Sequence, residues 1–180
     1  MLEFKQTDSE HRPRGKVRAM VLSPTRELAI QTLRFARQMA KHTSLRAALV
    51  VGGDGMDEQF EALAACPDLL IATPGRLAHH LEEVPDFTLS GVEFVVFDEA
   101  DRLFEMGFAD ELRRLMGAMP EQRQCLLFSA TMPKALVTFA RAGLQDPQVR
   151  GWDREGALEG LQRGFYCALS RCCETALADS

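Results

Sequence analysis

Five short apolar runs recur along the chain: VRAMVL (17–22), AALVV (47–51), LLIA (69–72), FVVF (94–97) and CLLF (125–128). They are continuous rather than alternating, which is the pattern of strands buried on both faces. Helix-like segments lie between them. Residues 25–41 set Leu28, Leu33, Phe35, Ala36 and Met39 among charged neighbours, and 57–65, 75–83, 108–118 and 134–143 are patterned in the same way. Strand–helix alternation of this kind predicts an α/β domain with a mainly parallel sheet flanked by helices. In such sheets ligands bind at the carboxyl ends of the strands. No internal repeat or low-complexity stretch interrupts the pattern.

Composition narrows the picture. The 180 residues suffice for one domain with its own core, and 46% hydrophobic with 26% charged residues is an ordinary globular balance. No apolar run approaches a membrane span, and the first 18 residues lack a signal-peptide core, so the expected location is intracellular. A net charge of -5 excludes a broadly basic nucleic-acid binder, so any such site must be local. The one basic cluster, HRPRGKVR at 11–18, reads as a solvated linker. Five cysteines with no C-x-x-C pair argue against disulfides and zinc, and Cys125, inside an apolar run, reads as core.

The candidate chemistry sits at the strand ends. VRAMVL runs into Ser23-Pro24-Thr25-Arg26-Glu27, and LLIA runs into Thr73-Pro74-Gly75-Arg76. Each stretch pairs a hydroxyl N-cap with a proline suited to a first helical turn, so each predicts a helix starting on top of a strand. Free N–H groups and the helix dipole favour an anion there, and the arginine adds a bidentate phosphate donor. Taken singly, either stretch is also what plain helix capping in a βα unit requires. The third end, FVVF into Asp98-Glu99, shifts the balance. Such a pair after a buried strand reads as the metal-side carboxylates of a nucleotide hydrolase, one residue for Mg²⁺ and the next a general base toward water. CLLF ends in Ser129-Ala130-Thr131.

Together these motifs resemble the first RecA-like lobe of the DEAD-box RNA helicases. PTRELAIQ (24–31), Gly52-Gly53 with Gln59 beyond, TPGRL (73–77), DEAD (98–101) and SAT (129–131) occur in the family's order over roughly residues 17–147. The resemblance implies ATP and Mg²⁺ as cofactors and RNA as a partner. It implies that Asp98 holds Mg²⁺ through water and that Glu99 orients and deprotonates the attacking water. Asp101, Ser129 and Thr131 would couple ATP state to RNA handling. Pro24, Thr25, Arg26, Gly52, Gly53, Thr73, Pro74, Gly75 and Arg76 would form the RNA-backbone surface, with Glu27 bracing the helix start. The wider contexts DEADRLFEMGF and FARAGL look most like the nucleolar subgroup acting in ribosome assembly, implying a nuclear or nucleolar location and assembly proteins as partners.

The sequence also departs from that pattern. It holds neither the family's adenine-recognition segment nor a G-x-x-x-x-G-K-[ST] loop, and Gly15-Lys16 lacks the earlier glycine and reads as linker. The stretch DPQVRGWD (146–153) is polar where the family has an apolar strand. The expected organisation is a linker at 1–16, a partial ATP-binding lobe at 17–152, and at 153–180 an interlobe linker with FYCAL as the first strand of a second lobe, a fragment cut on both sides. Without its P-loop strand, the strand at 125–128 would keep an unpaired apolar edge, predicting poor solubility or a marginal fold. The chain alone is expected not to hydrolyse ATP. The competing reading is a non-catalytic RNA-binding or protein-interaction module derived from such a lobe. A P-loop hydrolase unrelated to RNA is disfavoured by the two [ST]-P-x-R sites.

Overall fold

The computed structural model describes residues 16–84 and 86–144, together with the backbone of two strands at 148–152 and 165–170. Element order is β1 (Ala19–Leu22), α1 (Arg26–Met39), a 3₁₀ turn (Ala40–His42), β2 (Ala47–Val50), α2 (Met56–Ala64), β3 (Leu69–Ala72), α3 (Pro74–Glu83), β4 (Phe94–Phe97), α4 (Ala100–Glu105), α5 (Ala109–Gly117), β5 (Gln124–Ser129), α6 (Lys134–Gly143), β6 (Gln148–Trp152) and β7 (Phe165–Ser170). All five apolar runs are strands, and their lateral order is β2-β3-β1-β4-β5-β7-β6. The first five strands are mutually parallel. The chain leaves β1 toward β2 and leaves β4 toward β5, so connections diverge between β1 and β4. That divergence opens the crevice where such sheets bind ligands.

The two faces are covered unequally. On one face α1 lays Ala29 and Leu33 against Val51 and Ile71, with Val21 and Leu49 packed alongside. On the other, Met20, Leu22, Leu70, Val95 and Phe97 join Leu63, Leu77, Leu103, Leu112, Leu115 and Leu136 from α2 through α6 in the larger core. The expectation of strands buried on both faces therefore holds for β1 and β3, with one half-buried residue each, but not for β2 and β4, whose alternate residues are half-buried. Cys125 is buried in the core as expected.

The unpaired edge expected at 125–128 is not found. β7 lies along β5 in antiparallel register, from Cys125 opposite Ser170 to Ser129 opposite Tyr166, and β6 pairs antiparallel with β7. An available row of N–H and C=O groups accepts any strand of matching length, and 165–170 supplies one. The segment expected to open a second lobe thus pairs with the first sheet here, and part of the polar stretch 146–153 forms β6. Of the linker expected at 1–16 all but residue 16 lies outside the described residues, and so do 153–164 and 171–180 of the segment expected at 153–180.

Candidate functional site at the strand tops

Each predicted helix start is present, with one shift of register. After β3, Thr73 is the residue before α3 and Pro74 its first residue, as the pattern demands, although Thr73 makes no side-chain cap bond. After β1, the capping residue is Thr25 rather than Ser23: its Oγ1 accepts from the Leu28 N–H at 3.3 Å. Pro24 therefore precedes the cap, and Arg26 opens α1. Ser23 is drawn into the sheet, its N–H donating to Ala72 O at 3.0 Å, and it is fully buried.

The tops of β1, β2 and β3 converge. Arg26 donates from Nη1 to Gly52 O at 2.9 Å and pairs with Asp54 at 2.5 Å. Gly53 holds φ of +88°, and a side chain there would meet the Arg26 guanidinium at 3.3 Å, so both conformation and space call for glycine. Arg76 donates to the Met56 sulfur, and among the described residues it has no carboxylate partner. Gly52, Met56, Thr73, Gly75, Arg76, His79 and Phe108 line an open pocket of about 520 Å³.

A buried relay supports this surface from beneath. Gln59 donates from Nε2 to Val51 O at 2.9 Å, which leaves its Oε1 to accept from His80 Nε2 at 3.1 Å. That direction fixes the neutral tautomer with the proton on Nε2, and Nδ1 is left buried without a partner. The relay ties α3 to the residue preceding Gly52, across 21 positions of sequence between Gln59 and His80. Burial, then the nearby Arg76 and His79 charges, push the His80 pKa down. A group whose folded pKa lies below its unfolded value keeps its full contribution above the unfolded value, about 6.5 for histidine, and loses stability as pH falls from there toward the folded value. The unfolding free energy should therefore decline between pH 7 and 5. His80→Leu should lack that component and cost about 1–3 kcal/mol at pH 7, because Gln59 Oε1 loses its donor. Denaturant melts at several pH values check this, and an unchanged pH slope in the variant would exclude His80 as its source.

The second cluster crowns β4 and β5. The Asp98 N–H donates to Leu22 O at 2.9 Å, fixing β4 against β1 at the crevice. Glu99 sits in the left-handed region, φ 47° and ψ 54°. A bulky residue there is strained, and such strain gathers at functional sites. Arg102 holds the Glu99 carboxylate at 2.6 Å. Asp101, buried, accepts on Oδ2 from the Thr131 N–H at 3.0 Å and Thr131 Oγ1 at 2.8 Å, and on Oδ1 from the Arg102 N–H at 3.1 Å. Ser129 Oγ accepts from the Asp101 N–H at 3.0 Å and donates to Thr131 O at 2.7 Å. Burial pushes the Asp101 carboxyl up, but the Thr131 hydroxyl and the N–H groups of Arg102 and Thr131 hold it below the usual carboxylate range. Asp98 goes the other way: burial and then the Glu99 charge raise its pKa, with a Glu99 backbone bond opposing.

That contrast bears on a metal. No group of three or more His, Cys, Asp or Glu side chains among the described residues could cage an ion. Mg²⁺ takes one or two carboxylates and completes its shell with water and phosphate oxygens. A half-buried Asp98 with no cationic partner among the described residues fits such an ion, whose chemistry would be to neutralise phosphate charge. Asp54, Met56, His79 and His80 also belong to these clusters and lie outside the motifs, and Arg102 and Phe108 join them from within DEADRLFEMGF; Asp54 and Arg102, each adjoining a motif, were the most accessible to sequence reading.

Comparison with known proteins agrees with this architecture. Residues 4–139 match the model of the family described as DEAD/DEAH box helicase. The putative DEAD-box ATP-dependent RNA helicase 29 of Arabidopsis thaliana is 56% identical over 83% of this chain and 18% of its own length. The ATP-dependent RNA helicase DDX54 of Mus musculus is 54% identical over 82% of the chain and 17% of its length. The chain thus spans less than a fifth of these relatives. The crystal structure of a DEAD box protein from the hyperthermophile Methanococcus jannaschii superposes with a TM-score of 0.70 and 32% identity, over 74% of this chain and 36% of that one. With the ordered motifs on the strand tops and the family model matched across most of its length, the chain belongs to the DEAD/DEAH box helicase family.

Proposed function

We propose that this chain is the RNA-backbone face and the carboxylate half of the ATPase site of an ATP-dependent RNA helicase. One observation carries the reading: the buried, fully engaged Asp101 carboxylate joins the top of β4 to buried Ser129 and exposed Thr131, beside a separate face bearing Arg26 and Arg76. A network of this kind transmits a change at Asp98-Glu99 to the next strand top. In the complete protein Asp98 would carry Mg²⁺ through water and Glu99 would orient and deprotonate the attacking water after leaving Arg102. Thr25, Arg26, Gly52, Gly53, Thr73, Gly75 and Arg76, with Pro24 and Pro74 shaping the turns, would hold successive phosphates without reading bases.

The same reading extends to organisation and setting. Residues 1–16 would be linker, 17–152 the lobe and 153–180 the passage to a second lobe, with β7 pairing with β5 here because that edge is open to it. The contexts DEADRLFEMGF and FARAGL support a role in ribosome assembly, with assembly proteins as partners and a nuclear or nucleolar location.

These 180 residues contain no P-loop, and with it go the N–H cradle and lysine for the β- and γ-phosphates. The chain alone should therefore release no phosphate from Mg-ATP above background, with or without RNA, in a continuous phosphate-release assay. Saturable turnover would overturn the half-site reading. The missing loop also favours, for the isolated chain, a second role as a non-catalytic RNA-binding module.

A further inference from the structure

We infer that the pocket beside Arg76 takes an unpaired nucleobase, so that the proposed RNA face grips a base as well as phosphates. The inference rests on the RNA reading of that face and adds Phe108 and His79 to it as base-contacting residues.

The pocket is built for two kinds of contact. One wall is polar: the Arg76 guanidinium, without a carboxylate partner among the described residues, and the start of α3 at Thr73 and Gly75. The other wall is Met56, His79 and the half-buried Phe108. The Phe108 ring lies over the α3 entrance, its Cε1 only 3.7 Å from where a side chain on Gly75 would begin. Glycine at 75 thus leaves the ring and the helix start in contact with one shared space. At about 520 Å³ that space falls within the range of small-ligand pockets, roughly 300–1,000 Å³.

The occupant must bring an anion and a flat apolar body within one small unit. A nucleotide does so: phosphate to the guanidinium and helix N–H groups, base to the aromatic wall. A bare phosphate would leave Phe108, Met56 and His79 uncovered. A protein side chain offers the apolar body or the charge, rarely both. Since every base has a π-face, the contact would be tolerant of sequence while requiring an unpaired base.

The test compares fluorescently labelled single-stranded RNA with the same backbone carrying abasic sites, by anisotropy on the full chain. The unaltered chain should bind the abasic strand roughly 5- to 150-fold more weakly, the factor expected of one base stacked on an aromatic ring. Phe108→Leu keeps the apolar volume and loses the ring. It should bring base-containing RNA down to the abasic level and leave abasic binding and the salt dependence unchanged. His79→Ala, at an exposed position, should show the same selectivity with a loss of about fivefold, and it carries the test if Phe108→Leu shifts the melting temperature. Arg76→Ala should weaken both strands alike. Loss on both strands from Phe108→Leu, or on neither, overturns the base pocket while leaving the phosphate face standing. No binding of either strand by the unaltered chain overturns the RNA reading and the pocket together.

Discussion

Asp101→Ala is expected to lower the unfolding free energy by about 2–4 kcal/mol, the largest stability effect of any single polar substitution at the strand tops. Three donors converge on this buried carboxylate, two of them from Thr131 and one from Arg102. Deleting it removes a charged acceptor from the Thr131 N–H and hydroxyl and the Arg102 N–H at once, and a bond to a charged group contributes more than an average one. Asp101→Asn keeps one acceptor oxygen but not the charge, and should cost about 1–2 kcal/mol. The depressed pKa adds a second signature. The stability this carboxylate supplies is fully present above the ordinary value near 3.9 and is lost as pH falls through the lower folded value. Urea midpoints for the two variants decide the matter. Equal, small losses in both would mean that Asp101 is an ordinary helix-start carboxylate rather than the tie between β4 and β5.

Arg76→Ala should weaken binding to single-stranded RNA by about 10- to 100-fold, as loss of a charge-assisted phosphate contact predicts. Arg26→Ala should weaken it less. The two guanidiniums differ in what already holds them: Arg26 is paired with Asp54 at 2.5 Å, whereas Arg76 rests against the Met56 sulfur. A phosphate approaching Arg26 must share or displace a carboxylate; one approaching Arg76 displaces only a weak acceptor. Neither change should alter sequence preference, because phosphate contacts set register without reading bases. A larger loss from Arg26→Ala would reverse this ranking and make Asp54 a support for Arg26 rather than its competitor.

The five parallel strands were legible because each apolar run is short and continuous, and four of the five lie inside the sheet with β2 alone at its edge. Helix α4 was not, since its six residues begin directly after Glu99 and leave no room for a helical period to show. The shift of the first cap from Ser23 to Thr25 was equally hidden: both hydroxyls flank the same proline, and only the pull of Ser23 into β3's hydrogen bonding separates them. The edge of β5 was misjudged because pairing between residues 37 to 45 positions apart leaves no local mark, and 165–170 reads alike as a strand of this sheet or of another. The motifs named the residues of the site but not their supports. His80 sits on α3 beside buried Leu77 and looks like core until the bond to Gln59 is known. Phe108, in a stretch rich in core residues, becomes a pocket wall only because α5 begins over Gly75.

The most direct test of the account is a salt titration of the unaltered chain's affinity for two single-stranded RNAs of unrelated sequence. Two phosphate-binding arginines predict a slope of log affinity against log salt of about -1.4. They also predict the same slope and closely similar affinities for both sequences. Binding indifferent to salt, binding confined to one sequence, or no binding at all would contradict the claim that these strand tops form an RNA-backbone surface.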